Sequence, residues 1–242
     1  MTRLALLLAA ALAFSGAAEA QKFKTYPAVA VAIPKGPNDM SLSVFRSKLF
    51  ELARKKEKDA LGKMIVRDFF WERDFGGGFD RKLGAFSNFE RALNLNAENG
   101  AGWRVLAAFA EQMPGPHANK RGVICAPPEP KYDAKAFQQL VKVTDSDLFE
   151  WSYPVREGVV VRARAEQKAP VVATLGLQFI YTDLSARAAD FDPEKTWTPV
   201  VTRDGKRGFV APGELLSPLD PRLCFVRRGG RWFIAGYQGG GD

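Results

Sequence analysis

The residue types best suited to chemistry lie between residues 68 and 80, in the stretch Asp-Phe-Phe-Trp-Glu-Arg-Asp-Phe-Gly-Gly-Gly-Phe-Asp. Three consecutive glycines allow the backbone to approach a ligand closely, because they carry no Cβ. Asp74 and Asp80 could act there as the acid pair of a hydrolase or as metal ligands, although their spacing does not match a calcium loop. The alternative, which we favour, is a glycine turn between helices whose aromatic rings enter the core and whose carboxylates cap helices or pair with Arg73 and Arg81.

The chain has a single histidine, His117, which lies in a loop of sequence Pro-Gly-Pro-His. We interpret it as a solvated loop residue rather than a catalytic base. The sequence contains no nucleophile elbow, zinc-protease helix, phosphate-binding loop or dinucleotide fingerprint. We therefore expect no catalytic residue outside the 68–80 stretch, no metal site and no cofactor.

Residues 1–20 have the pattern of a secretory signal peptide. Arg3 supplies the positive start, residues 4–14 are apolar, and Ala18-Glu19-Ala20 matches a cleavage site with small outer residues. The apolar run is shorter than the about 20 residues that a helix needs to span a bilayer. We expect cleavage near Ala20, a periplasmic or secreted protein, and no transmembrane anchor.

The two cysteines, Cys125 and Cys224, predict a disulfide bond, because an even cysteine count in an exported protein is typical of structural disulfides. A redox or metal pair is the alternative, and it is disfavoured because the sequence has no Cys-x-x-Cys motif and no second histidine. On the chain-entropy model, a bond that closes a loop of about 100 residues stabilises the fold by about 4–5 kcal/mol.

Composition indicates a globular protein, since apolar residues make up 46% and aromatic residues 12% of the 242 residues. Residues 21–40 are rich in proline and predict an extended lead-in. Residues 41–113 predict a helical subdomain of four short helices. Residues 114–131, rich in proline, glycine and basic residues, predict a linker to a second domain at residues 132–242.

Within the helical subdomain, apolar residues recur at helical spacing, including near residues 59–66 and 102–113. The pattern Ser87-Asn88-Phe89-Glu90 predicts a capping box at the start of a further helix. Residues 134–144, after the linker, predict a helical turn followed by a short strand at 140–143.

The second domain predicts antiparallel strands. Residues 159–161 and 171–172 are β-branched, and the Asp204-Gly205 turn between apolar residues predicts a hairpin. A second hairpin, which turns at residues 227–231, is expected to lie against the barrel formed by the first strands. The predicted fold class is therefore α+β: a helical subdomain followed by a small β-barrel with an extra C-terminal hairpin.

Three motifs in this second domain follow one another in a recognisable order. They are Val161-Arg162, then residues 170–176 with the sequence Pro-Val-Val-Ala-Thr-Leu-Gly, then a set formed by Trp197, Val200, Gly205, Gly208, Phe209 and Val210. Together they resemble the bacterial SH3-like (SH3b) domain family over residues 158–216. The resemblance implies a small barrel of short antiparallel strands that serves as a wall- or protein-binding module. Its contact surface would then lie around Tyr153, Trp197 and Phe209.

Basic residues are concentrated between residues 203 and 232, where seven stand against three acidic residues and account for half of the net charge of +8. Outside the cytoplasm this excess favours cell-wall polymer, anionic lipid headgroups or an acidic envelope protein over nucleic acid. The alternative is a solvated arginine face. The candidate contact residues are Arg203, Lys206, Arg207, Arg227, Arg228 and Arg231.

Two functions are consistent with these patterns. The first, which we favour, is a non-catalytic binding or scaffold module of the cell envelope, with cell-wall polymer or an envelope protein as its partner. The second is a hydrolase with a carboxylate site in the 68–80 stretch.

Overall fold

The computed structural model describes residues 25–72, 78–187, 192 and 195–239. The predicted signal peptide at residues 1–20 lies outside the described residues, and so do Arg73 and Asp74. The α+β class predicted from the sequence is confirmed, because the described part of the chain combines five α-helices with two mostly antiparallel sheets.

The five helices are α1 (Met40–Lys55), α2 (Lys58–Gly62), α3 (Ala85–Ala92), α4 (Ala101–Glu111) and α5 (Ala134–Thr144). Two of them begin at an aspartate whose carboxylate accepts backbone N–H groups of the first turn. Asp39 caps α1 in this way and Asp133 caps α5. These caps fix the starts of the two helices that pack against different sheets.

The described strands are β1 (Ile65–Glu72), β2 (Gly115–Pro116), β3 (Val123–Ala126), β4 (Trp151–Pro154), β5 (Val159–Arg162), β6 (Val171–Leu175), β7 (Ile180–Thr182), β8 (Thr198–Val201), β9 (Arg207–Val210), β10 (Leu215–Leu216), β11 (Arg222–Arg228) and β12 (Arg231–Gln238). The first sheet has the order β1-β12-β11-β3-β2, and β1 is its one parallel strand. The second sheet has the order β10-β4-β7-β8-β9-β5-β6 and is antiparallel. Among the described strands neither sheet closes into a barrel, although the sequence predicted one.

Helices α1 to α4 share one apolar core with the five-stranded sheet. Their buried side chains pack against Phe225 and Ile234 of the β11–β12 hairpin. The seven-stranded sheet has apolar residues on both faces. One face, with Trp151 and Tyr153, is covered by α5 and by the segment that contains Tyr26 and Val29, and the other face carries β-branched residues of β5, β8 and β9.

Two segments predicted to be helix or linker form strands instead. The helix expected at residues 59–66 ends at Gly62, and β1 begins at Ile65. β1 is rich in β-branched and aromatic residues and pairs with β12, so a partner about 170 residues away in the chain sets its conformation. The linker expected at residues 114–131 contains β2 and β3, and both belong to the five-stranded sheet.

The C-terminal hairpin also lies elsewhere than expected. β11 and β12 occupy the centre of the five-stranded sheet, between β1 and β3, whereas the sequence predicted that they lie against the barrel strands. The disulfide prediction is confirmed, because Cys125 of β3 stands opposite Cys224 of β11 and their sulfurs are bonded, with 4.0 Å between the Cα atoms. Both cysteines are buried.

Two local predictions within helices are wrong. The expected capping box at residues 87–90 lies inside α3, whose first turn follows Gly84. The side-chain amide of Asn88 instead donates to the backbone carbonyls of Asp80, Leu83 and Gly84, so it closes the preceding loop. The strand expected at residues 140–143 is the second half of α5, because Phe137 and Leu140 place an apolar stripe at helical spacing.

Candidate functional site

Four separate segments of the chain meet around one cleft of about 340 Å³ between the two sheets. They are the end of β1, the segment after β3, the loop that joins β10 to β11 with the start of β11, and the end of β12. The residues that line this polar cleft are Glu72, Glu129, Pro130, Tyr132, Pro218, Leu219, Asp220, Arg222, Gln238 and Gly239. The volume is within the range of small-ligand sites, which is about 300–1,000 Å³.

The pairing of β1 with β12 places Glu72 in the polar cleft. Glu72 stands opposite Gln238, and the Gln238 amide donates to Glu72 Oε2 at 3.0 Å. Lys120 Nζ lies 2.9 Å from Glu72 Oε1. Burial alone would raise the pKa of the Glu72 carboxyl, but the hydrogen bonds from Lys120 and Gln238 hold its pKa below the ordinary value. Glu72 is therefore a fixed carboxylate.

His117 lies behind Glu72, and only 3% of its side chain is exposed. Its Nδ1 accepts the backbone N–H groups of Asn119 and Lys120 at 3.0 and 3.2 Å, so the proton of the neutral ring is on Nε2. Nε2 is 3.8 Å from Glu72 Oε2 and makes no hydrogen bond to a described residue. Burial lowers the pKa of His117, although the charge of Glu72 opposes this. The expectation of a solvated histidine is wrong.

Asp220, Arg222 and Tyr132 also line the polar cleft. Asp220 Oδ2 accepts the Ser217 N–H at 2.7 Å, and burial raises the pKa of the Asp220 carboxyl. Arg222 Nη2 donates to the Pro218 carbonyl at 3.0 Å, while its Nε is buried without an acceptor among the described residues. The Tyr132 ring makes T-shaped contacts with the stacked rings of Phe137 and Phe179, and these contacts tie the cleft to the core of the seven-stranded sheet.

Glu129 is the acid of the polar cleft that has no internal role. Glu129 is half-buried, and in the described part of the chain its carboxylate makes no hydrogen bond or ion pair. The arrangement therefore offers both a free carboxylate acceptor and guanidinium donors to a polar ligand. Within residues 25–72, 78–187, 192 and 195–239, no group of three or more histidine, cysteine, aspartate or glutamate side chains could hold a metal ion.

The acid pair predicted in the 68–80 stretch can be followed only at Asp80, because Asp74 lies outside the described residues. Asp80 Oδ1 accepts the Lys82 N–H at 2.9 Å, and its backbone bonds to the Asn88 side chain. These contacts give Asp80 a role in loop structure. Glu72, from the same stretch, is the acid that reaches the polar cleft, and it was not among the residues predicted from the sequence.

The three aromatic residues predicted to form a contact surface differ in burial. Tyr153 is only 1% exposed and belongs to the core beneath α5, so its ring cannot form part of a contact surface. Trp197 and Phe209 are half-buried. Phe209 stands opposite Pro199 in the β8–β9 pairing, whereas Trp197 directly precedes β8.

The predicted basic residues belong to two hairpins in two different sheets. Arg203, Lys206 and Arg207 surround the β8–β9 turn of the seven-stranded sheet, whereas Arg227, Arg228 and Arg231 surround the β11–β12 turn of the five-stranded sheet. Most of them are paired with acids of this chain. The ion pairs are Lys206–Asp204 at 2.7 Å, Arg207–Asp183 at 3.5 Å, Arg227–Asp39 at 3.4 Å and Arg228–Asp68 at 2.7 Å. Their attraction for an external anion is reduced accordingly.

None of the helices in the described ranges is long and apolar enough to span a membrane. No protein-family model, curated protein or solved structure matches the chain.

Proposed function

We propose that this chain is a non-catalytic binding module of the cell envelope and that it holds its ligand in the polar cleft. The observation that supports this most strongly is the lining of the cleft, where Glu129 and Arg222 offer an acceptor and donors that the fold does not use. A concave site with a few convergent polar groups is typical of ligand binding. The buried disulfide and the signal-like pattern at residues 1–20 support a location outside the cytoplasm.

The partner class is cell-wall polymer or an envelope protein, as the resemblance to SH3-like domains implies. The arginine hairpins contribute less than their charge suggests, because Arg227 and Arg228 already face Asp39 and Asp68. Arg228 forms a bidentate pair with Asp68, in which both N–O distances are 2.7 Å. The polar cleft is therefore a better candidate for specific contact, and the hairpins a candidate for long-range attraction.

Sedimentation of the purified chain with cell-wall sacculi tests the proposal. Glu129→Arg places a cation in the polar cleft without breaking an internal contact, and we expect it to lower the bound fraction. Glu166→Arg is the matched control, since Glu166 is an exposed acid in the turn between β5 and β6. Absence of sedimentation at low salt excludes wall binding, and equal loss in both variants excludes the cleft. Loss only after Arg227, Arg228 and Arg231 are changed to Glu assigns binding to the hairpin instead.

A hydrolase is the second candidate, and one observation favours it. Glu72 and Asp220 line the same cleft, and their environments move their pKa values in opposite directions, which is typical of an acid and a base with different roles. Incubation with sacculi distinguishes the two functions by the release of soluble fragments. A binding module releases none, whereas release that is abolished by Glu72→Gln would establish the hydrolase.

A further inference from the structure

Resting on the proposed function, we infer that the polar cleft recognises a ligand whose free ammonium group stands close to a carboxylate or carbonyl oxygen. The lining of the polar cleft carries more negative than positive side chains. The carboxylates of Glu72, Glu129 and Asp220 line the cleft against one guanidinium, that of Arg222. An excess of negative charge in a concave site raises the local concentration of cations.

The three carboxylates differ in what they can still accept. Glu72 is held by Lys120 and Gln238, and one oxygen of Asp220 accepts the Ser217 N–H. Glu129 is half-buried and accepts nothing from the described residues. A carboxylate has about four lone-pair sites, and an ammonium group has three N–H donors. Glu129 is therefore the place for an ammonium group, with Asp220 in the lining of the same cleft.

The donors of the polar cleft indicate the rest of the ligand. Arg222 makes one hydrogen bond, to Pro218, and its Nε is buried without an acceptor among the described residues. The guanidinium of Arg222 is therefore the donor of the lining that the fold leaves partly unused. Unsatisfied buried donors are unfavourable, so an acceptor oxygen next to the ammonium group would be complementary to this wall.

The dimensions of the polar cleft limit the ligand to an amino acid or the end of a short peptide. The volume of about 340 Å³ is at the small end of the range for small-ligand sites. Pro130, Tyr132 and Leu219 add apolar surface to the lining, which suits an aliphatic stem between the polar groups. The ligand class is thus an amine-bearing amino acid, alone or at the end of a peptide.

Calorimetric titration with three probes tests the inference. L-lysine carries ammonium groups and a carboxylate, cadaverine lacks the carboxylate, and Nα,Nε-diacetyl-lysine lacks the ammonium groups. We expect lysine to bind most tightly and the diacetyl probe to bind at least about tenfold more weakly, because a charge-assisted hydrogen bond is lost. Glu129→Gln should weaken lysine binding by a similar factor, and Glu166→Gln should leave it unchanged.

Several results would overturn the inference. They are no binding of lysine, equal binding of lysine and its diacetyl derivative, and equal effects of Glu129→Gln and Glu166→Gln. If cadaverine binds as tightly as lysine, the cleft does not recognise an acceptor oxygen of the ligand, and that part of the inference is wrong. The same variants in the sacculus assay separate this inference from the proposed function. If wall binding depends on Glu129 but lysine does not bind, the proposed function stands and the inference of an amine ligand is rejected.

Discussion

The ring of Phe70 lies directly on the backbone of Gly236, at the point where β1 pairs with β12. A Cβ added at Gly236 would stand 2.4 Å from the ring carbons of Phe70, so no larger residue fits without displacing the ring. The same ring also contacts the two residues next to Glu72, because Lys120 Nζ lies 4.7 Å from its centroid and the His117 ring makes a T-shaped contact with it. A single glycine therefore helps to fix the groups behind Glu72.

Gly236→Ala should lower the free energy of unfolding by about 1–3 kcal/mol, which is the usual cost of overpacking a well-packed site. Urea unfolding followed by tryptophan fluorescence measures it. Gly176→Ala is the control, since a Cβ at Gly176 meets nothing within 4 Å. Equal stabilities of the two variants would show that the ring moves aside without cost.

Asp220 is expected to make the stability of the fold depend on pH. Because burial raises the pKa of Asp220 in the folded chain, its contribution to stability is fully present below the ordinary carboxyl pKa and is lost as pH rises through the raised value. Asp220→Asn removes the titration. The stability of the variant relative to the wild type should therefore increase as pH rises through this window. Urea unfolding between about pH 4 and pH 8 checks this. If the free energies of unfolding of the wild type and the variant change in parallel with pH, the prediction is wrong.

At the scale of elements, the β11–β12 hairpin holds the five-stranded sheet together. It pairs with β1 on one side and with β3 on the other, and the disulfide joins β3 to β11. The order of the sheet thus depends on contacts between the last strands and segments about 100 and about 170 residues earlier in the chain. Such contacts carry a high entropic cost in the unfolded chain.

Replacing Cys125 and Cys224 together by alanine should lower the free energy of unfolding by about 4–5 kcal/mol on the chain-entropy model, since the bond closes a loop with a sequence separation of 99. Denaturant unfolding of the double variant measures the loss, and the reduced wild type should match it. A variant as stable as the oxidised wild type would show that β3 and β11 need no covalent link.

The features that the sequence predicts correctly are those with a local or nearly unique signal. The disulfide follows from a chain with only two cysteines, and the β8–β9 hairpin follows from the Asp204-Gly205 turn. β1 was missed because its conformation depends on β12, which no window around residue 65 contains. The polar cleft was missed for the same reason, since its walls come from residues near 72, 130, 220 and 238.

At the scale of the whole molecule, the basic residues of the two hairpins do not line the polar cleft. The two arginine hairpins belong to different sheets and are largely paired with acids, so the net charge of +8 does not form one binding patch on the described strands. The polar cleft, by contrast, is lined by Glu129, whose carboxylate has no partner among the described residues, and by Arg222, whose Nε has no acceptor there. This distribution is the reason for assigning ligand contact to the polar cleft and only long-range attraction to the hairpins.

The most direct test of this assignment is amide chemical-shift mapping of the isotope-labelled chain during titration with solubilised cell-wall fragments. If the polar cleft is the binding site, the shifted amides will cluster at Glu129, Tyr132, Asp220, Arg222 and Gln238. Shifts confined to the turns at residues 203–207 or 227–231, or no shifts at all, would contradict the assignment.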